Sequence, residues 1–154
     1  MNNWSVKHAS CTKNLLVDDD FTIKLEIAEM LTAKGYDVVG MAENGLQSIE
    51  MAQNLNPDLI LMDIVMPGDM DGIAAAEKIR QESDIPIVFI TGYGGPEYVE
   101  RAKAVEPFGY VMKPFDEKEI SAVVEIALYK SKMELQLKKS RRALKSEIED
   151  RKKN

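Results

Sequence analysis

Cysteine is almost missing. Cys11 is the only one in the chain, so no internal disulfide can form. That suits a reducing compartment, and Cys11 reads as an inert thiol near a loose end. No apolar run approaches the roughly 18 residues that a membrane span needs. Residues 1–14 also lack the apolar segment of a secretory signal. The expectation is a soluble, cytoplasmic protein. Aromatics are scarce at 6%, so aliphatic side chains must fill any core, and a 45% hydrophobic share suffices for one. Trp4 and His8 stand in a polar, unpatterned stretch, so residues 1–12 are expected to be a flexible N-terminal segment.

Charge is unevenly spread. Residues 130–154 hold ten Lys/Arg against four Asp/Glu, a balance of +6. The remaining ten Lys/Arg stand against 22 Asp/Glu, a balance of −12. An acidic body argues against a nucleic-acid surface there. The basic tail reads first as a solvated helix face.

Five short apolar runs stand out: Leu15-Leu16-Val17, Val38-Val39, Leu59-Ile60-Leu61-Met62, Ile87-Val88-Phe89-Ile90 and Tyr110-Val111-Met112. They do not alternate with polar residues, as expected of strands covered on both faces. Their starts lie 23, 21, 28 and 23 residues apart. Such spacing is too long for hairpins and suits strand, helix, strand. Between them, Ile23, Ile27, Met30 and Leu31 share a helical face, with Gly35 as a stop. Leu46, Ile49 and Ala52 form a second stripe, and Ile73, Ala76 and Ile79 a third. Pro96 suits the first turn of a fourth helix carrying Tyr98, Ala102 and Val105. Asp116 with Glu119 resembles a capping box for a fifth. Alternating βα units predict a parallel sheet with helices on both faces and right-handed crossovers. Ligands of such sheets bind at the carboxyl ends of the strands.

Those ends carry Asp18-Asp19-Asp20, Asp63, Thr91 before Gly92, and Lys113 before Pro114. Each alone has an ordinary explanation, and Asp20 or Thr22 is expected to cap the first helix. Together they fit one chemistry. Carboxylates crowded at one edge repel unless a cation neutralises them. Hard oxygen ligands with open positions suit Mg²⁺. Asp63 supplies a carboxylate nucleophile, Thr91 a hydroxyl donor and Lys113 a fixed positive charge. Met66 and Met70 read as loop packing, since thioethers do not suit Mg²⁺.

The chain resembles the receiver domains of two-component response regulators. The matching stretches are Leu15 to Asp20, Leu59 to Pro67, Met70-Asp71-Gly72, Ile85 to Gly92 and Gly109 to Phe115. The resemblance covers about residues 13–130 and implies a doubly wound, five-stranded parallel sheet of flavodoxin-like order 2-1-3-4-5. It implies that Asp63 is the phosphoacceptor. Asp18, Asp19 and Asp63 would hold Mg²⁺ with the carbonyl of Val65. Thr91 and Lys113 would bind the phosphoryl oxygens, and Thr91 with Tyr110 would form the switch. Val65 and Tyr93 would flank the path of the hydrolytic water. Lys113-Pro114 would be cis. Gly68 and Asp69 give one residue more than the commonest spacing before Met70-Asp71-Gly72, which leaves the loop's path open.

The implied function is a phosphoacceptor taking its phosphoryl group from a histidine kinase or phosphotransfer protein, and signalling by a change of shape. It would catalyse only its own modification and slow hydrolysis. An aspartyl-nucleophile phosphatase usually has a second acid two residues on, where this chain has Val65. A nucleotide- or flavin-binding module would need a Gly-rich phosphate loop after the first strand, where Asp18-Asp19-Asp20 stands instead. A non-phosphorylated interaction domain would not need the whole site set. Residues 131–154 stay helix-prone without Gly or Pro. Glu134 and Lys138, Glu147 and Arg151, and Glu149 and Lys153 are favourable i,i+4 pairs. Leu137 and Leu144 lie seven apart, but Ser140 and Arg141 break a heptad register. This segment is expected to be a helical extension of the fifth helix. It would be a linker or a weak coiled coil making a homodimer, and the chain part of a larger sensor or hybrid kinase.

Overall fold

The computed structural model describes residues 12–92 and 95–153. Trp4, His8, Cys11 and Tyr93 lie outside them. Five strands alternate with five helices: β1 (Lys13–Val17), α1 (Phe21–Ala33), β2 (Asp37–Ala42), α2 (Gly45–Leu55), β3 (Leu59–Met62), α3 (Gly72–Glu82), β4 (Ile87–Thr91), α4 (Pro96–Val105), β5 (Gly109–Met112) and α5 (Glu117–Lys153). The strands are all parallel and run in the order β2-β1-β3-β4-β5.

The unbroken apolar runs follow from this order. The central strands are buried on both faces, so successive side chains enter different cores. Leu15, Val17, Ile60, Met62, Ile87 and Phe89 meet Ala52 of α2, Ile73, Ala76 and Ile79 of α3, and Ala102 of α4. Leu16, Leu59, Leu61, Val88 and Ile90 meet Ile27 and Leu31 of α1 and Ile120, Val124 and Ala127 of α5. Edge strand β2 is only half-buried along most of its length.

The caps follow local chemistry. Asp20 caps α1, its Oδ1 accepting the Thr22 N–H at 2.9 Å, so Asp20 and not Thr22 does this work. Gly35, at φ +88, ends that helix in the left-handed region. Asp116 Oδ1 accepts the Glu119 N–H at 2.8 Å at the head of α5. One predicted stripe needs correction. Leu46 is 66% exposed, whereas Ala52 is buried and Ile49 packs on the core as expected, and Gly45 and Ser48 take the buried place beside them. Ser48 can be buried because its hydroxyl donates to the Gly45 carbonyl at 2.6 Å.

Helix α5 is a single element of 37 residues, exposed from Lys132 onward. Among the described residues, no helix is long and apolar enough to cross a membrane.

Candidate functional site

Parallel strands bring all their carboxyl ends to one edge. Val17 and Met62 are register partners on neighbouring strands, so Asp18 and Asp63 leave the sheet side by side. Backbone bonds fix both: Asp18 N–H donates to the Ala42 carbonyl at 3.1 Å, and Asp63 N–H to the Val17 carbonyl at 2.8 Å. On the other side Thr91 pairs with Met112, and Lys113 N–H donates to the Thr91 carbonyl at 2.8 Å. The Lys113-Pro114 peptide is cis.

These placements converge. Asp18, Asp19 and Asp63 each bring one carboxylate oxygen within 4.8 Å of the others. Lys113 Nζ donates to Asp18 Oδ2 at 2.9 Å and lies 3.5 Å from Asp63 Oδ2. The second oxygen of Asp18 accepts the Asp20 N–H at 2.8 Å. Asp18, Asp63 and Thr91 are buried, whereas Asp19 is exposed. Asp20 points away into the α1 cap. Val65 stands on the loop after β3 with its side chain exposed, and Tyr110 is half-buried against the core beneath α2, α3 and α4.

The electrostatics follow from one cation facing three carboxylates. Burial, then the charges of Asp18 and Asp19, push the Asp63 carboxyl up to about 6 against the opposing pull of Lys113. Burial alone would lower the Lys113 ammonium, but the bonds and charges of Asp18 and Asp63 outweigh it and raise its pKa. A divalent cation would relieve this imbalance. Three clustered carboxylate oxygens, one of them on the exposed Asp19, are a donor set suited to Mg²⁺.

Three features were not read from the sequence. Gly72 opens α3, and a Cβ there would stand 1.9 Å from the Asp63 carbonyl oxygen, so only glycine lets α3 start against the site backbone. Asp71 caps α3 and is gripped by Arg101 of α4. Lys24 is buried in α1, with Nζ 3.4 Å from the Ala42 carbonyl. An acid-glycine pair before a helix was the available signal for Asp71 and Gly72, but nothing local announces Arg101 or the burial of Lys24. The additional loop residue is absorbed at the surface: Gly68 takes φ +99 with open space around its Cα.

Comparison with known proteins agrees with this geometry. Residues 15–125 match the family model of the response regulator receiver domain. The transcriptional regulatory protein PdtaR of Mycobacterium tuberculosis is 37% identical over 114 residues, covering 74% of this chain and 55% of that protein. The chemotaxis protein CheY of Treponema pallidum is 37% identical over 109 residues, covering 69% of this chain and 75% of that protein. The chain thus spans about half the length of PdtaR. Among solved structures, the signal receiver domain of a modulated diguanylate cyclase from Desulfovibrio desulfuricans G20 superposes with a TM-score of 0.76 at 35% identity, covering 80% of this chain and 98% of that one. Sheet order and relatives agree, and the chain belongs to the response regulator receiver domain family of two-component signalling.

Proposed function

We propose that Asp63 is the phosphoacceptor of this receiver. The observation that carries the reading is the position of its carboxylate: buried at the end of β3, 3.5 Å from Lys113 Nζ and clustered with Asp18 and Asp19. The donor is a phosphohistidine on a histidine kinase or phosphotransfer protein. An Asp63 oxygen forms the new bond to phosphorus while the P–N bond breaks, and the electron pair leaves with the imidazole nitrogen. Asp18, Asp19, Asp63 and the Val65 carbonyl would hold Mg²⁺, which supplies positive charge to the transferring oxygens. Lys113 neutralises the remaining charge, and Thr91 donates its hydroxyl to a phosphoryl oxygen. Tyr110, on the strand beside Thr91, follows that movement as the switch. The chain catalyses only its own phosphorylation and dephosphorylation, in the cytoplasm where such kinases act. Residues 13–130 form the receiver body and residues 131–154 an extension from it.

The test is intact-mass measurement after incubation with acetyl phosphate and Mg²⁺. The chain should gain one phosphoryl group, and Asp63→Asn none. Continued labelling of Asp63→Asn would move the acceptor elsewhere.

A further inference from the structure

The exposed apolar residues of α5 repeat every eleven residues. Ile126, Leu137 and Ile148 form one row, Met133 and Leu144 a second, and Tyr129, Ser140 and Arg151 a third. Ile126, Tyr129, Met133, Leu137, Leu144 and Ile148 are all exposed, and Leu135 alone among the large exposed apolar residues of this helix lies off the stripe. A seven-residue repeat breaks at Ser140 and Arg141. An eleven-residue repeat has Ser140 and Arg151 as the polar members of its third row but keeps Ile126, Leu137 and Ile148 in one line and Met133 and Leu144 in another. Eleven residues make three turns at about 3.67 residues per turn, so the stripe drifts only about 20° per repeat along the helix, and paired helices following it coil right-handed.

The stripe does not face the body of its own chain. Ile120, Val124 and Ala127 mark the side of α5 that packs on the sheet. Lys138 continues that side, and its Nζ donates to Asp84 Oδ1 at 2.6 Å, where Asp84 precedes β4. Arg142 lies on the same side and contributes to lowering the Asp84 carboxyl, after the Lys138 bond and charge and the Arg80 charge. At about 100° per residue, this side lies roughly 130° around the helix from the centre of the stripe. The packing of Ile120, Val124 and Ala127 therefore turns the stripe outward, and the half-exposed Lys138–Asp84 pair lies on the packed side.

We infer that residues 126–148 are a self-association surface, on which a second copy of this chain lies parallel and in register as an eleven-residue-repeat coiled coil. The flanking charges choose the occupant and its direction. One flank of the stripe carries Lys130, Arg141, Lys145 and Lys152 with Glu134, and the other carries Gln136 and Glu147. Opposite flanks meet in a parallel pair, so Glu147 faces the partner's cationic flank. An antiparallel pair would set the cationic flank against itself. In register, Ser140 meets its own copy and no charge is buried at the middle of the seam.

The surface is independent of Asp63 chemistry, so its test is too. In a Cys11→Ser background, single variants Met133→Cys, Ile148→Cys and Lys139→Cys are oxidised mildly and run on non-reducing gels. Met133→Cys and Ile148→Cys should both form disulfide dimers, and Lys139→Cys, on the opposite side, should not. An antiparallel pair would instead link Met133→Cys to Ile148→Cys only when the two variants are mixed, which overturns the direction and register. Sedimentation should show a monomer–dimer equilibrium that Leu137→Glu with Leu144→Glu weakens at least about tenfold. Helical circular dichroism and phosphorylation by acetyl phosphate report that those variants remain folded. A chain that stays monomeric to millimolar concentration, or links equally at Lys139→Cys, overturns the proposal.

Discussion

Arg101 and Asp71 form a two-pronged ion pair, Nη1 to Oδ2 at 2.7 Å and Nη2 to Oδ1 at 3.1 Å, that ties α4 to the first turn of α3. Asp71 Oδ1 also accepts the Ala74 N–H at 2.9 Å. The next residue, Gly72, lies against the backbone of Asp63. The phosphoacceptor candidate, the head of α3 and α4 are thus joined through the adjacent residues Asp71 and Gly72.

Burial alone would raise the Asp71 carboxyl, but Arg101 and the N–H groups of Ala74 and Ile73 hold it below the usual carboxylate range. A lowered folded pKa means stability present above about pH 4 and lost as pH falls through the folded value. Arg101→Ala should cost up to about 1 kcal/mol near neutral pH, because its partner pair is half-exposed. Asp71→Ala should cost about 1–2 kcal/mol, since the helix cap is lost as well. Urea unfolding at pH 7 and pH 3 checks both, and the Arg101→Ala difference should shrink at the lower pH.

Asp63 carries the opposite sign. Its folded pKa of about 6 lies above the ordinary 3.8, so ionising it in the metal-free protein removes stability as pH rises through that window. Asp63→Asn should therefore be more stable than the parent at pH 7 in chelator, by on the order of 1–2 kcal/mol after screening by water. The gain should shrink toward pH 4 and on adding Mg²⁺. Thermal denaturation under these conditions decides it, and a less stable Asp63→Asn in chelator would refute the account of the site's strain.

The two neighbouring acids should separate in a Mg²⁺ titration. Asp19 contributes an oxygen to the cluster, whereas Asp20 is engaged by the α1 cap. Asp19→Asn should weaken binding strongly, and Asp20→Asn, which keeps a side-chain oxygen for the α1 cap, should have little effect on the metal, whereas Asp20→Ala should lower folding stability by about 1 kcal/mol. Equal losses of Mg²⁺ affinity would show the ligand set to be misassigned.

Phosphoryl lifetime is the remaining measurable property. Val65 is exposed beside the site and cannot orient water by hydrogen bonding. Tyr93 is the bulky residue two beyond Thr91. Slow self-dephosphorylation is expected, and replacing both by small or polar residues should accelerate the decay of Asp63 phosphate. An unchanged decay rate would remove these two residues from the account.

The sequence by itself determined the strands, the helices and which residues end each strand, because these rest on local matters: aliphatic runs, helical spacing, Asp20 and Asp116 at helix starts and Gly35 at a stop. Strand ends were informative because a parallel sheet carries all of them to one edge. The α2 face was misread at Leu46 because helical spacing alone cannot say that Ser48 will satisfy its own hydroxyl and be buried. Only tertiary structure joined residues far apart in the chain: Lys113 to Asp18 across 95 positions, Arg101 to Asp71 across 30, and Lys138 to Asp84 across 54. Only it showed that Gly72 must lack a side chain, since the atom it would strike belongs to Asp63. The apolar positions of the tail were visible as letters. The face they occupy was decided by the packing of Ile120, Val124 and Ala127, since a helix in isolation has no preferred outward side.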